Sequence, residues 1–466
     1  MKARLSELAV RIGAELHGAD GDFRGASIDT RRVERGNLFF ALPGSRVDGH
    51  DFVARAASLG AAAAVVDRLV DSPAPQLQVM DVEAALQRAG AASRHDFDGP
   101  VIGVTGSNGK TTVKQMLAAI LDHAGSVLAT EGNLNNHLGV PLTLMRLDES
   151  SQRAVVEMGA SSSGEIAMLC DMARPDIAVV TNAGVAHLEG FGSREGVARA
   201  KGEIYAGLAD DGTAVINADD AYAGLWSEIA GIRSQIRFAR REGEGVDVYA
   251  SHEELAADGS RFTLHTPTGS ARVNLKLAGA HNISNALAAA AVAGALNLDA
   301  DLIARGLAGM AAVGGRMVVT SARDGARLVD DSYNANPESL AAALGWLAQQ
   351  PGPRWAVLGD MGELGDYAEQ AHIEAGTTAR QAGVSRLWLT GPLSRHTAES
   401  FGEGARWFTD HDALSEALLS ALAHDSAENN HTGPVTVLVK GSRSARMDRV
   451  ADALRMDANA RAGAPC

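Results

Sequence analysis

Residues 101–116 read VIGVTGSNGKTTVKQM. A short apolar run enters a glycine-containing turn at Gly106, and Lys110 opens a segment with helical spacing. Strand, loop and helix in that order form the repeating unit of a parallel α/β sheet. In such a turn glycines let backbone N–H groups approach phosphate oxygens, and the helix N-terminus adds partial positive charge. The residues expected to cradle a nucleoside triphosphate are Gly106, Ser107, Asn108, Gly109, Lys110, Thr111 and Thr112. Lys110 carries the charge to neutralise the β- and γ-phosphates, and Thr111 the hydroxyl to ligate magnesium. The widespread form of this motif places four residues between its glycines. Here position 104 is Val104, and the loop is the shorter G-x-x-G-K-T. No Asn-Lys-x-Asp segment occurs, which speaks against guanine as the base.

Working outward, the pattern divides the chain into three α/β units. Residues 1–83 mix short strands (NLFFALPG, AAAAVVD) with helices such as HDFVARAASLG. Residues 84–312 alternate strand and helix as a parallel sheet with crossover helices does. The strands VIGVTG, RAVVEMG, DIAVVTNAG and GTAVINADD each end in Gly, Asn, Asp or Glu. Strand ends of that kind face the ligand crevice of an open α/β sheet. AAVGGRM (311–317) reads as a hinge into residues 313–466, a Rossmann-like unit with the paired strands MVVTSA and RLVDDSY, then WAVLGD, RLWLTG and VTVLVKG.

Composition bounds the function. The 466 residues carry a net charge of −15, which argues against a nucleic-acid partner but leaves room for small anions held by a few local cations. Cys170 and Cys466 give neither a disulfide framework nor a zinc spacing. No apolar signal core and no uninterrupted apolar run of membrane-spanning length is present, so a cytoplasmic protein without membrane insertion is expected.

Further chemistry lies downstream. Glu157 ends an apolar strand, the place for a second magnesium ligand, although a strand-end glutamate is more often a solvated cap. His187 sits in the Gly-rich stretch TNAGVAHLEGFGS, and Lys201 on the segment AKGEI, where pairing with Glu203 is an alternative.

The segments TGSNGKTT, VVEMGAS, NAGVAHLEGFGS with AKGEI, GAHNISNALAA, GRM and DSYNANPESL occur in the order found in the Mur ligase family of peptidoglycan synthesis. The resemblance covers essentially the whole chain. It implies an ATP-dependent amide-bond ligase with an N-terminal UDP-sugar-binding domain, a central ATP-binding domain and a C-terminal domain that closes over ATP. It further implies two magnesium ions held by Thr111, Glu157, His187 and Lys201, with Lys201 carbamylated. By the same resemblance Asn282 and Asn285 contact the adenine region, and Arg316 and Asp331 reach ATP from the third unit.

Family members differ in the acceptor and in the residue added. The first unit resembles the UDP-binding domain of the last two ligases of the pathway. The Asp-Asn-Pro-Arg of the diaminopimelate-adding member is absent. VLGDMGELG (357–365) and VLVKGSRSARMDRV (437–450) resemble the member that joins D-alanyl-D-alanine to UDP-N-acetylmuramoyl-tripeptide. On that resemblance the UDP-sugar peptide lies near Asp29, Thr30, Arg31, Asp48, Gly49, His50, Asn135, Asn136, His137, Ser161 and Ser162. The dipeptide lies near Asn334, Asn336, Lys440, Ser442 and Arg443, and the chain acts as a monomer. Alternatives sharing the loop are the preceding ligase, folylpolyglutamate synthetase and a non-catalytic nucleotide switch.

Overall fold

A computed structural model describes residues 1–44, 47–185, 188–310, 314–428 and 433–455. In the first unit five strands lie in the order Glu15–His17, Gln76–Gln78, Ala63–Val66, Leu38–Phe40, Ala26–Ser27. The strands expected from NLFFALPG and AAAAVVD pair in parallel at its centre. Their side chains alternate: Leu38, Phe40, Ala63 and Val65 join Leu86 and Ala89 on one face, while Phe39, Ala64 and Val66 meet Val53 and Ala56 on the other.

The position between residues 83 and 84 falls in the first turn of helix Val82–His95. That helix packs Val82, Ala85, Leu86 and Ala89 into the first unit's core, and Leu142 and Met145 of the second unit join the same cluster. The approach is close at Gly90, where a Cβ would stand 2.5 Å from the Cα of Pro141.

The second unit holds a nine-stranded sheet around Val101–Thr105, flanked by Ile177–Val180 and Arg153–Glu157, both parallel to it. Period-two alternation sends Ile102, Val104, Val155 and Val179 toward helices Lys110–Asp122, Ala280–Ala295 and Ala300–Gly309. Val101, Ala154, Val156 and Val180 face helices Glu165–Ala173 and Arg194–Ala206 instead. Burial on both faces produces the continuous apolar runs seen in the sequence.

One edge departs from the parallel sheet expected for residues 84–312. Strands Val248–Leu255, Ser260–Thr266 and Gly269–Leu275 run antiparallel to one another. Phe262, Leu264, Ala271, Val273 and Leu275 of the outer pair enter the core on alternate positions, so these strands are half-buried and mostly polar between them. An antiparallel edge can leave one face to water, which a central parallel strand cannot.

The third unit orders its strands Val318–Ser321, Arg327–Asp331, Thr436–Lys440, Arg354–Gly359, Arg386–Thr390, Ala405–Phe408. The first pair is antiparallel and the rest parallel, the Rossmann-like arrangement expected. Among the described residues no helix is long and apolar enough to cross a membrane. Cys170 is buried, and Cys466 lies outside the described residues.

Gly90→Val tests the seam between the first two units. Its side chain has no space beside Pro141, so overpacking should lower stability by about 1–3 kcal/mol. The readout is a lower urea midpoint at unchanged slope; an unchanged midpoint would mean the helices are not held this close.

Candidate active site

A cleft of about 1240 Å³ opens where the carboxyl ends of the central strands meet the third unit. The glycine loop forms its floor. Gly106 has φ 141°, and a Cβ there would lie 1.9 Å from Thr181 Oγ1; Gly109 has φ 84°, and its Cβ would lie 2.3 Å from Asn285 Oδ1. Asn182 Oδ1 accepts from the Asn108 N–H at 2.9 Å, and Thr181 Oγ1 donates to the Asn108 carbonyl at 2.5 Å. Ser107 Oγ accepts from the Gly184 N–H at 2.9 Å.

Lys110 folds back on this loop, donating to the carbonyls of Gly106 at 2.5 Å and Ser107 at 3.2 Å. Burial lowers its pKa, an effect that Glu157 partly offsets. The ammonium is therefore short of charge partners at the place where a phosphate would supply one. Thr112 is buried on the same helix. Asn282 Nδ2 donates to Ala278 O at 2.8 Å, and Asn285 Nδ2 to Asn282 Oδ1 at 3.1 Å, so the two asparagines form one network behind Gly109.

Glu157 is 2% exposed. Its Oε1 accepts from Asn135 Nδ2 at 2.9 Å, and its Oε2 lies 3.1 Å from Lys114 Nζ but has no hydrogen-bond partner. Burial pushes the carboxyl pKa up, but Lys114, Lys110 and Asn135 outweigh that and hold it below its ordinary value. A buried, ionised carboxylate on the cleft wall is the donor chemistry that suits a divalent cation. Thr111 also lines the cleft, and its Oγ1 accepts from Arg316 Nη2 at 2.9 Å.

Lys201 is 1% exposed; its Nζ donates to Ala160 O at 2.9 Å and lies 4.9 Å from the Phe191 ring centroid. Burial, with Lys110 as a second cause, pulls its pKa down to about 7. Glu203, the alternative partner in the sequence, instead accepts from the Gly164 and Ala167 N–H groups. His187 lies outside the described residues.

The third unit brings its own candidates to the same cleft. Asn336 caps helix Pro337–Leu347, and its Nδ2 donates to Asn108 Oδ1 of the loop at 2.8 Å. Asp331 Oδ1 accepts from the Met317 N–H at 3.1 Å. Its Oδ2 pairs with Lys440 Nζ at 2.5 Å, and that ammonium also donates to Asn334 O at 2.9 Å. Two residues read separately, one for ATP and one for the dipeptide, thus form one buried ion pair. Ser442 Oγ donates to Asp360 O at 2.7 Å. The Arg316 and Arg443 guanidiniums lie 4.1 and 5.6 Å from the Tyr333 ring centroid.

The UDP-sugar candidates divide. Asn135, Asn136 and Ser161 line the cleft. Asn136 Oδ1 accepts from Gly139 N, while Glu165 accepts from Ser161 N and Ser162 Oγ. His137 lies beside Glu83 at 3.7 Å. Asp29 caps the turn Thr30–Arg32 and pairs with Arg31, away from the cleft walls. His50 is buried: its Nδ1 meets Asp48 Oδ1 at 2.7 Å, and its Nε2 accepts from the Asp67 N–H at 3.2 Å. Both ring nitrogens are thereby committed, Nδ1 to the turn at Asp48 and Gly49 and Nε2 to Asp67.

Several residues in the cleft or behind its wall had no place in the sequence reading. Lys114 is one helical turn beyond Lys110, a spacing that puts both on one face. Arg194 Nη2 lies 3.7 Å from Glu338 Oε1, and a Cβ at Gly184 would stand 1.7 Å from Glu338 Oε2. His281 lines the cleft with its pKa lowered by burial. Asp219 and Asp220 end GTAVINADD, where strand-end polarity was the available signal.

Family models agree with this architecture. The Mur ligase family, catalytic domain, matches residues 22–96, the Mur ligase middle domain 104–293, and the Mur ligase, glutamate ligase domain, 315–443. The chain belongs to the Mur ligase family. A relative from Escherichia coli (strain K12), the UDP-N-acetylmuramoyl-tripeptide–D-alanyl-D-alanine ligase, is 43% identical over 97% of this chain and 98% of its own length. Among solved structures, MurF from Acinetobacter baumannii superposes with a TM-score of 0.88 at 34% identity, covering 97% of this chain and 98% of that one. MurF ligase from Thermotoga maritima in complex with ADP gives 0.78 at 30% identity, covering 92% and 96%.

Gly106→Ala should fold but lose ATP binding, because its Cβ would displace Thr181 and the backbone would leave its left-handed conformation. A loss of roughly 10²-fold is the scale of an ångström-level misplacement. Calorimetric titration with ATP measures it, and wild-type affinity would refute the tight fit.

Proposed function

We infer that the chain is an ATP-dependent ligase that joins D-alanyl-D-alanine to UDP-N-acetylmuramoyl-tripeptide, giving UDP-N-acetylmuramoyl-pentapeptide, ADP and phosphate. The observation that carries the reading is the full-length match at 43% identity to a ligase of that name, on a chain whose phosphate loop, buried acid and third-unit cations line one cleft. This is the last cytoplasmic ligase step of peptidoglycan precursor synthesis. In this reading the chain acts as a monomer in the cytoplasm.

A carboxylate is a poor electrophile, so the tripeptide's terminal carboxylate must first be activated. Its oxygen attacks the γ-phosphorus, ADP leaves, and an acyl phosphate forms. The dipeptide amine then attacks the acyl carbon, a proton is lost, and phosphate is expelled from the tetrahedral intermediate. Such steps ask for positioning and for neutralised repulsion between two anions. Lys110 faces the β- and γ-phosphates. Arg316 and Asp331 meet the nucleotide from the third unit, beside Asn282 and Asn285. Thr111, Glu157, His187 and Lys201 are the residues that would hold magnesium, which supplies charge neutralisation between carboxylate and phosphoryl oxygens. Asn334, Asn336, Ser442 and Arg443 face the dipeptide, with Arg443 suited to its carboxylate. The third unit excludes water from the acyl phosphate, whose hydrolysis is the competing reaction.

Lys201 carries a carbamate in the active enzyme. Carbamylation requires the neutral amine to attack CO2 and lose a proton, and a lysine pKa lowered to about 7 makes that form available near neutrality.

Phosphate release from ATP with magnesium should require both UDP-N-acetylmuramoyl-tripeptide and D-alanyl-D-alanine, with a product heavier by one dipeptide less water. Release that ignores the dipeptide would overturn the specificity. Lys110→Ala should lower turnover by on the order of 10²–10³, and wild-type turnover would contradict its role.

Labelling with 13C-bicarbonate should give a carbamate signal that Lys201→Ala lacks. Because the ammonium is unreactive, signal and activity should fall together as the pH drops below about 7. A signal unchanged in Lys201→Ala would place the modification elsewhere.

A further inference from the structure

Lys114 is 0% exposed, on the helix that begins at Lys110. Its Nζ lies 3.1 Å from Glu157 Oε2 and donates to Gly132 O at 3.2 Å. On the other side of the same carboxylate, Asn135 Nδ2 donates to Oε1 at 2.9 Å. Glu157 is thus fixed from both sides, with Oε2 in an ion pair with the Lys114 ammonium.

Stability does not account for this pair. Taking two charges out of water costs about as much as their attraction returns, and apolar side chains of the same volume often serve as well or better. The pair also stands where a divalent cation has to approach. With Glu157 contributing −1 and Lys110 and Lys114 each +1, these three residues sum to +1 before any nucleotide arrives. A bare divalent cation meets that positive sum in a setting of low dielectric, where repulsion is strong. A triphosphate reverses the sign by bringing several negative charges of its own.

We propose that Lys114 is a positioning residue, the resident counter-cation of Glu157, and that it makes divalent-metal capture conditional on the nucleotide. Lys114 and Asn135 hold the carboxylate ionised and oriented. Lys114 also lowers its affinity for free metal, so the metal enters with ATP. The proposal rests on the ligase reading, which gives Glu157 to a metal, but it assigns Lys114 a part that reading does not contain.

The test is Mn2+ titration of the full chain, followed by the electron paramagnetic resonance signal of free Mn2+, without nucleotide and then with ADP. Lys114→Met and Lys114→Gln should each bind Mn2+ without nucleotide at least about tenfold more tightly than wild type, the scale of removing one adjacent cation. Lys114→Arg should bind as wild type does. The enhancement of Mn2+ affinity by ADP should be largest in wild type and Lys114→Arg, and smaller in the two neutral variants. The double variant Glu157→Gln/Lys114→Met removes both members of the ion pair together, so neither is left buried without the other. It should show none of the gain.

Neutral variants with unchanged or weaker Mn2+ binding would overturn the proposal, as would an arginine variant that behaves like the neutral ones. A gain that persists in the double variant would locate the metal away from Glu157 and would also overturn it. No step uses the acceptor or the dipeptide, so failure here is distinct from failure of the ligase assignment, which the phosphate-release assay reads.

Discussion

The phosphate loop has no slack, and the arrangement of the cleft follows from that. Gly106 presses against Thr181 at the end of one strand, and Gly109 against Asn285 in the first turns of helix Ala280–Ala295. No side chain fits at either place, so strand and helix fix the loop from opposite ends of its sequence. Asn282 and Asn285 are bound to each other behind Gly109, which gives the helix start a packing duty toward the loop. The third unit takes its position from the same loop through Arg316 on Thr111 and Asn336 on Asn108.

Charge of both signs meets in the cleft. Lys110, Arg194 and Arg316 line it together with Glu157, Glu165, Asp219, Asp220 and Glu338, while the buried Lys114 and Lys201 reach Glu157 and the Ala160 carbonyl on its wall. Each cation is held differently. Lys110 rests on loop carbonyls, Lys114 on an acid, Arg316 on a hydroxyl and a ring, and Lys201 on a carbonyl and a ring. Burial, with Lys110 as a second cause, brings the Lys201 pKa down to about 7.

What was legible in the sequence was local. The loop, the strand ends that carry Glu157 and Asn217, and the hairpin of the third unit each follow from short runs whose periodicity is complete within them. Partnership between distant residues was not. Asp331 and Lys440 are 109 positions apart, and nothing local in either segment announces that each is the other's counter-charge. Nothing local marks Lys114, because its acid, Glu157, lies on another strand. The antiparallel edge was missed because strands such as Gly269–Leu275 alternate polar and apolar residues over only a few positions. The Asp29 and Asp48 turns show the converse case. Short polar motifs satisfy their own backbone first, as the cap at Thr30–Arg32 and the doubly engaged His50 do.

The way the third unit meets the loop bears on turnover. Its described contacts there are mainly polar: an asparagine cap reaching Asn108, an arginine on Thr111, and Glu338 beside Arg194 and Gly184. The apolar share is small, with Ala278 the one residue of the second unit inside the third unit's described core. A net hydrogen bond contributes about 0.5–1.5 kcal/mol, so a few of them can hold the cleft shut while remaining reversible. A broad apolar seam of the kind that joins the first two units at Ala89 and Leu142 would keep products inside. The two junctions therefore differ for a physical reason. One is a packed core that holds its partners together, and the other is a set of polar contacts centred on the loop whose occupant changes in every cycle.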